Sequence, residues 1–300
     1  MMARANTGSG LRGTLRLDEP LARHTSWRVG GPADRYYEPA DLDDLMHFLR
    51  TVPAQEPIHW IGLGSNLLVR DGGVRGTVLC VTGRLRSLTV VAENRVRAEA
   101  GVPCAQLARF CARHDLSGAE FLAGIPGTVG GALAMNAGAF GGETWGIVAA
   151  VETIDRRGQI RTRLPADYRV SYRSVVGPDQ EWFVAGHFQL GAGVAADGKA
   201  LIKSLLAKRG ATQPTQQPNA GSVFRNPAGD HAARLIEATG LKGTCEGDAC
   251  VSELHANFII NRGKATAAQI ERLIAIVQER VLAVQNVKLE PEVRIIGVES

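Results

Sequence analysis

Three hundred residues exceed what one small core organises and predict two or three domains. With 45% hydrophobic and 21% charged residues, the composition is that of a soluble globular chain. A net charge of +4 with scattered Lys and Arg argues against a nucleic-acid surface, and no apolar run approaches the ~18 residues of a membrane span. Arg84, Arg86, Arg95 and Arg97 come nearest to a basic cluster, but they flank strand-like alternation and read as a solvated face. Met1 to Thr14 lacks the apolar stretch of a signal peptide and predicts a flexible tail. Five cysteines, an odd count without a signal sequence, point to a reducing cytoplasm.

In chain order, Asp41 to Val52 reads as a helix with an Asp N-cap. Ile58 to Ile61, Leu67 to Val69 and Val78 to Val81 read as short buried strands, and Leu88 to Ala100 as a hairpin turning at Glu93-Asn94. Pro103 to His114 is a helix with Pro near its start, and it carries Cys104 and Cys111 seven apart on one core-facing side. Val148 to Asp155, Gln159 to Leu164 and Trp182 to Leu190 are strand-like. Lys199 to Arg209 is a helix that Gly210 stops, and Ala211 to Pro227, with three prolines, a loop. Asp230 to Thr239 and Thr266 to Gln285 read as helices, the second with Ile270, Leu273, Ile274 and Val277 on one side. Leu289 to Val298 closes the chain as a strand. The mixture predicts an α+β protein, with a flexible tail over 1–14 and boundaries near residues 85 and 195.

Two glycine loops carry the chemistry. Gly62-Leu63-Gly64-Ser65-Asn66 follows the apolar run ending at Ile61. The segment Gly124 to Glu143 has seven glycines and four alanines in twenty residues. Such backbone can approach a ligand closely, with amides facing an anion, so the pair predicts a dinucleotide held from two sides. Neither loop has the G-x-G-x-x-G spacing of a Rossmann fingerprint. Either loop can also be no more than a tight turn. Cys245-x4-Cys250, with His255 near, has no second pair to complete a zinc site, so no metal is expected.

The chain resembles the UDP-N-acetylenolpyruvoylglucosamine reductase family. The resemblance rests on Thr25-Ser26-Trp27-Arg28-Val29-Gly30-Gly31-Pro32-Ala33, both glycine loops, Tyr172-Arg173-Ser174, Ala220-Gly221-Ser222-Val223-Phe224-Arg225-Asn226-Pro227, His255-Ala256-Asn257-Phe258 and Leu289-Glu290-Pro291-Glu292-Val293. It implies a two-subdomain FAD-binding domain of the vanillyl-alcohol-oxidase type (residues 15–85 and 86–195) and a C-terminal α+β substrate domain (196–300), in the shorter of two family types. It further implies noncovalent FAD, held by Gly62, Gly64, Ser65, Asn66 and Leu67 and by Gly124, Gly127, Thr128, Gly130, Gly131 and Asn136. NADPH is the implied hydride donor and the enolpyruvyl UDP-sugar the substrate, in a cytoplasmic enzyme of cell-wall precursor synthesis for which a monomer is favoured.

By the same resemblance Arg173, Ser222 and Glu292 are the catalytic residues, and Tyr172, Arg209, Arg225 and Asn226 hold substrate. A hydride arriving at C3 of the enolpyruvyl group leaves negative charge at C2, which needs a proton and a counter-charge. Ser222 carries its proton at neutral pH, and Arg173 can pair with the substrate carboxylate. Glu292, if held protonated, can donate to the same group. The residues alone permit plainer readings: a turn at Gly221-Ser222, a surface charge at Arg173, and an exposed strand face shared by Glu290, Glu292 and Arg294. Two departures from the family pattern stand out. Arg225 takes the place of a usual lysine, and Tyr168-Arg169-Val170-Ser171 fits the short Tyr-Arg-x-Ser pattern literally, whereas the flanks favour Tyr172-Arg173. Another flavin oxidoreductase of the same fold, or a non-catalytic nucleotide-sugar binder, remain the competing functions.

Overall fold

The computed structural model describes residues 10–300. The chain forms two compact units, each discontinuous in sequence. The first runs through Leu17 and includes Arg35–Gly62 and Gly76–Lys208; the second takes Asp18–Asp34, Leu63–Arg75 and Arg209–Ser300. The first glycine loop is therefore divided, Gly62 in one unit and Gly64 to Leu67 in the other. Among the described residues no helix is long and apolar enough to cross a membrane.

Strands β1 (Thr14–Pro20) and β2 (Pro32–Glu38) precede helix α1 (Leu42–Thr51), β3 (Ile58–Ile61), β4 (Leu67–Val69) and β5 (Val74–Cys80). One sheet has the order β1-β2-β5-β3, with β3 and β5 parallel. Helix α1 starts where the sequence predicts, because the Asp41 side chain accepts from the Asp44 amide. Asp44, 2% exposed, in turn accepts from the Tyr37 hydroxyl at 2.6 Å and the Arg12 amide at 2.7 Å. The expected N-terminal tail lies largely outside the described residues; within them, this bond holds Arg12 and Thr14 begins β1. Leu45, Phe48 and Leu49 of α1 pack with Tyr37, Leu79 and Val184, the Phe48 and Tyr37 rings stacked at 3.8 Å.

Next come β6 (Leu88–Ala92), β7 (Arg95–Glu99), α2 (Cys104–Arg113), β8 (Leu116–Ser117), α3 (Val129–Met135) and the short hairpin β9 (Gly138–Ala139) and β10 (Gly142–Glu143). They are followed by β11 (Val148–Asp155), β12 (Ile160–Arg163), β13 (Arg169–Ser171), β14 (Ser174–Val176), β15 (Glu181–Gln189) and β16 (Gly191–Ala192). An antiparallel sheet of order β12-β11-β15-β7-β6 packs Val96, Ala98, Val151 and Phe188 against Leu107 and Ala108 of α2 and Leu133 of α3. Cys104 and Cys111 lie in this core, and burial pushes both thiols up to about 12, which leaves them unreactive at neutral pH.

Helix α4 (Ala195–Thr212) is longer than expected. It runs through Gly210, which does not adopt positive φ, and ends just before Gln213-Pro214. A residue preceding proline is pushed out of the helical region, so the proline rather than the glycine sets this boundary. The second unit continues with α5 (Ala232–Ala238), β17 (Cys245–Glu246), β18 (Ala249–Val251), β19 (Ile259–Asn261), α6 (Ala267–Gln285) and β20 (Arg294–Ile296). Helix α6 buries Ile270, Leu273, Ile274, Val277 and Val281 with Leu235, Ile236, Val251, Ile259 and Trp27. Each such side chain contributes roughly 1.5–3 kcal/mol. Thr266 and Gln269 cap α6 reciprocally, and the Asp71 carboxylate accepts from the Ala267 and Ala268 amides at 2.9 Å each.

Two further differences from the sequence reading concern the C-terminal region. The final strand is only β20, paired in parallel with β4; residues 290–292 lie beside residues 223–225 instead, through a bridge between Phe224 and Pro291. Pro291 has no amide to offer a longer ladder. Cys245 and Cys250, directly opposite on β17 and β18, form a disulfide, a pairing that the odd cysteine count did not signal.

Candidate active site

In the first unit, the start of the first glycine loop meets the second. A Cβ on Gly62 would lie 2.6 Å from the Thr128 hydroxyl. Thr128 is buried and caps α3 by accepting from Gly131. The next two amides of α3 are engaged by protein: Val129 donates to the Val102 carbonyl at 2.8 Å and Gly130 to Ala100 at 2.9 Å. This tempers the sequence expectation that the segment's amides face an anion. Several of its glycines also have packing reasons, since a Cβ on Gly130 would press on Ala100 at 2.9 Å and one on Gly142 on the Phe121 ring at 2.6 Å. Gly131 is different: it is exposed, and a Cβ there would meet nothing closer than Thr128 at 3.8 Å.

Thr82, not anticipated from the sequence, carries a buried hydroxyl with no hydrogen-bond partner. It sits on the turn 81–85, whose Leu85 carbonyl accepts from Gly101, next to the residues that bind α3. A Thr-Gly pair directly after a buried strand was the only signal for it.

Tyr172 and Arg173 form the two-residue turn between β13 and β14, with Ser171 opposite Ser174. Arg173 has a φ of 55°, a left-handed conformation that costs a non-glycine residue about 1 kcal/mol. Its guanidinium donates to the Gly138 carbonyl at 3.1 Å and lies over the Tyr172 ring, so it reaches the second glycine segment. Arg169 is exposed on β13, and Tyr168 packs against Trp145 and Phe183. Asn136, expected among the cofactor contacts, uses its carboxamide within the protein. It accepts from the Trp145 amide at 3.1 Å and donates to Glu143 at 2.9 Å and to the Ser171 carbonyl at 3.2 Å, which braces the Arg173 turn.

In the second unit, Ser222 and Glu292 stand on adjacent extended segments. The Glu292 amide donates to the Val223 carbonyl at 2.7 Å, and the Arg225 amide to the Glu290 carbonyl at 2.9 Å. Asn66 joins them: its side-chain amide donates to the Glu292 carbonyl at 3.0 Å, and its carbonyl accepts from Arg294 at 3.1 Å. Gly64, at φ 61°, lies against the His24 carbonyl, and Leu67 opens β4. Ser65 is half-buried beside them. Asn226 accepts from the Ala232 amide at 3.1 Å and so begins α5. Arg209 donates to Gln213 at 3.1 Å, and burial lowers its guanidinium from the usual arginine pKa. Asn257, which the sequence offered only within the His255-Ala256-Asn257-Phe258 run, pairs its carboxamide with the amide and carbonyl of Phe224, two residues after Ser222.

Comparisons with known proteins identify two domains. Residues 213–296 match the C-terminal domain of UDP-N-acetylenolpyruvoylglucosamine reductase, and residues 33–163 match an FAD binding domain. A relative from Methylococcus capsulatus carrying that reductase name is 61% identical over 293 residues, spanning 98% of this chain and 96% of its own. One from Alkalilimnicola ehrlichii is 60% identical over 285 residues, or 95% of each chain.

The chain belongs to the UDP-N-acetylenolpyruvoylglucosamine reductase family.

The crystal structure of the family's reductase from Thermus caldophilus superposes with a TM-score of 0.82 at 32% identity, over 95% of this chain and 99% of that one. As a member of this reductase family with an FAD binding domain, the chain is an FAD-dependent oxidoreductase. The residues present fit FAD on the structure's own terms. Gly62 is flush against Thr128, Gly131 is open, and the Thr82 hydroxyl lacks a protein partner.

Proposed function

We propose that the enzyme reduces UDP-N-acetylglucosamine enolpyruvate to UDP-N-acetylmuramate with NADPH, a cytoplasmic step of peptidoglycan precursor synthesis carried out by a monomer. Residues 15–195 hold FAD and residues 196–300 the UDP-sugar, in line with the two family matches. The observation that carries this reading is the hydrogen-bonded juxtaposition of the Ser222 and Glu292 segments, Glu292 amide to Val223 carbonyl, in a chain 61% identical to a reductase of that name.

Bound FAD would supply hydride-transfer chemistry between NADPH and C3 of the enolpyruvyl group. The protein must then manage the charge left at C2 and on the adjacent carboxylate. Ser222 delivers its hydroxyl proton to C2, which, as a carbanion-like centre, is a strong enough base to take it. Arg173 pairs with the carboxylate and offsets its growing charge, its guanidinium already oriented by the bond to the Gly138 carbonyl. Glu292 in its protonated form donates to the same carboxylate. Tyr172, Arg209, Arg225 and Asn226 bind the remainder of the substrate. Gly62, Gly64, Ser65, Asn66 and Leu67, together with Gly124, Gly127, Thr128, Gly130, Gly131 and Asn136, line the cofactor.

The test is anaerobic NADPH oxidation with and without the enolpyruvyl substrate. Oxidation beyond one enzyme equivalent, only with substrate, supports the reductase. Ser222→Ala should keep flavin reduction by NADPH and lose turnover by about 100-fold or more. Wild-type turnover by that variant would remove Ser222 from its role.

A further inference from the structure

We propose that Asn257 is a positioning residue for Ser222, acting through the main chain of the residues that follow it; the inference rests on Ser222 being the proton donor. Asn257 is 3% exposed. Its carboxamide grips one residue at both ends: Oδ1 accepts from the Phe224 amide at 2.9 Å and Nδ2 donates to the Phe224 carbonyl at 2.8 Å. Its own carbonyl accepts from the Val223 amide at 2.9 Å. The other side of the same segment is held by residues 290–292, where the Val223 carbonyl accepts from Glu292 and the Arg225 amide donates to Glu290.

The two residues after Ser222 are therefore clamped from two sides. On one side stands the segment of Glu292, and on the other a single side chain that does for Phe224 what a neighbouring strand would do. On the side before Ser222, Gly221 adopts φ 74° and its amide donates to Asn219 Oδ1 at 2.9 Å; on the side after it, the clamp on Val223 and Phe224 fixes where the hydroxyl originates. The loop that presents Asn257 is itself tied. Ser252 Oγ accepts from the Leu254 and His255 amides, the Phe258 amide donates to the His255 carbonyl, and the Asn257 amide donates to His255 Nδ1 at 3.3 Å.

A carboxamide presents a donor and an acceptor side by side without carrying a charge at any ordinary pH. Asn257→Leu keeps the branching at Cγ but leaves the Phe224 amide and carbonyl unpaired in the interior. Asn257→Asp keeps the acceptor and turns a negative oxygen toward the Phe224 carbonyl. Either change shifts Ser222 relative to Glu292, and a misplacement near 1 Å costs a reacting group on the order of 100-fold in rate.

The experiment compares wild-type holoenzyme with Asn257→Leu and Asn257→Asp. We read FAD content, melting temperature, substrate affinity by flavin fluorescence, flavin reduction by NADPH alone, and the solvent deuterium isotope effect on substrate-dependent turnover. The expected result is full FAD, near-wild-type NADPH-driven flavin reduction, substrate affinity held within a few-fold, kcat lowered about 100-fold, and a larger solvent isotope effect as proton donation becomes limiting. Folded, FAD-replete variants that turn over like wild type overturn the proposal. So do variants in which both half-reactions slow equally, or in which the isotope effect does not move. If Asn257→Leu does not fold, Asn257→Asp and Asn257→Ser decide by the same criteria. Absence of substrate-dependent turnover in the wild type would instead overturn the reading of Ser222, and this inference with it.

Discussion

The side-chain amide of Asn66 donates to the main-chain carbonyl of Glu292 at 3.0 Å, joining residues 226 apart in sequence. The Arg294 amide returns a bond to the Asn66 carbonyl, so the parallel pairing of β4 with β20 is extended by one more link on each chain. A loop expected to serve the cofactor thus also sets where a proposed catalytic carboxyl stands. Asn66→Ala removes the donor and should cost about 1 kcal/mol of stability. It should also slow substrate-dependent turnover more than it slows flavin reduction by NADPH. Thermal melts and the two half-reactions, measured on the same preparation, check both parts.

Gly62→Ala tests the meeting of the two glycine loops. The new methyl would stand 2.6 Å from the Thr128 hydroxyl, so Thr128 must move or the loop must open. The expected protein is folded but poor in flavin, seen as a lower ratio of flavin to protein absorbance with an unchanged far-ultraviolet dichroism spectrum. A variant that retains its full flavin would show that this contact is dispensable for the cofactor.

His255 predicts a specific pH dependence. Burial, ahead of every other influence, lowers its pKa from the usual 6.5, and its Nδ1 accepts the Asn257 amide only when unprotonated. The unfolded chain takes up this proton below about pH 6.5, whereas the folded chain resists it. The stabilisation is therefore complete above that pH and declines as pH falls toward the lower folded pKa. Urea midpoints at about pH 7.5 and about pH 5.5 should differ for the wild type and differ less for His255→Gln.

The Cys245–Cys250 disulfide closes a short hairpin, with a sequence separation of 5. Closing so small a loop restricts the unfolded chain modestly, so reduction should cost about 2 kcal/mol. Dithiothreitol should lower the melting temperature of the wild type and leave that of Cys245→Ser unchanged. An equal shift in both proteins would remove the disulfide as its cause.

What was legible in the sequence was set by neighbours along the chain. Helix α1 follows from Asp41 and the spacing of Leu42, Leu45, Met46 and Leu49; the β6–β7 hairpin turns at Glu93-Asn94, with Asn94 at φ 56°; α6 begins at its Thr266 cap. The family, and with it the FAD chemistry, was legible because its motifs are short runs whose order and spacing survive in one dimension. Other features depended on backbone conformation that residue type alone does not decide. Gly210 reads as a helix stop and is instead helical, and the glycines of 124–143 read as ligand-facing although Gly130 and Gly142 are small because Ala100 and Phe121 press on them.

The partners of the candidate site were decided only by the tertiary structure. Asn66 with Glu292, Gly62 with Thr128, Arg173 with Gly138, and Asn257 with Phe224 are each separated by dozens to hundreds of residues. Such pairs form because burying α6, β18 and Trp27 in one core, and α2, α3 and the five-stranded sheet in another, brings distant backbone together, and every buried amide and carbonyl then needs a partner wherever it comes to rest. Periodicity and caps specify which segments are helices or strands. They carry no information on which distant carbonyl an amide will find, and that choice is what lays the Ser222 segment beside that of Glu292.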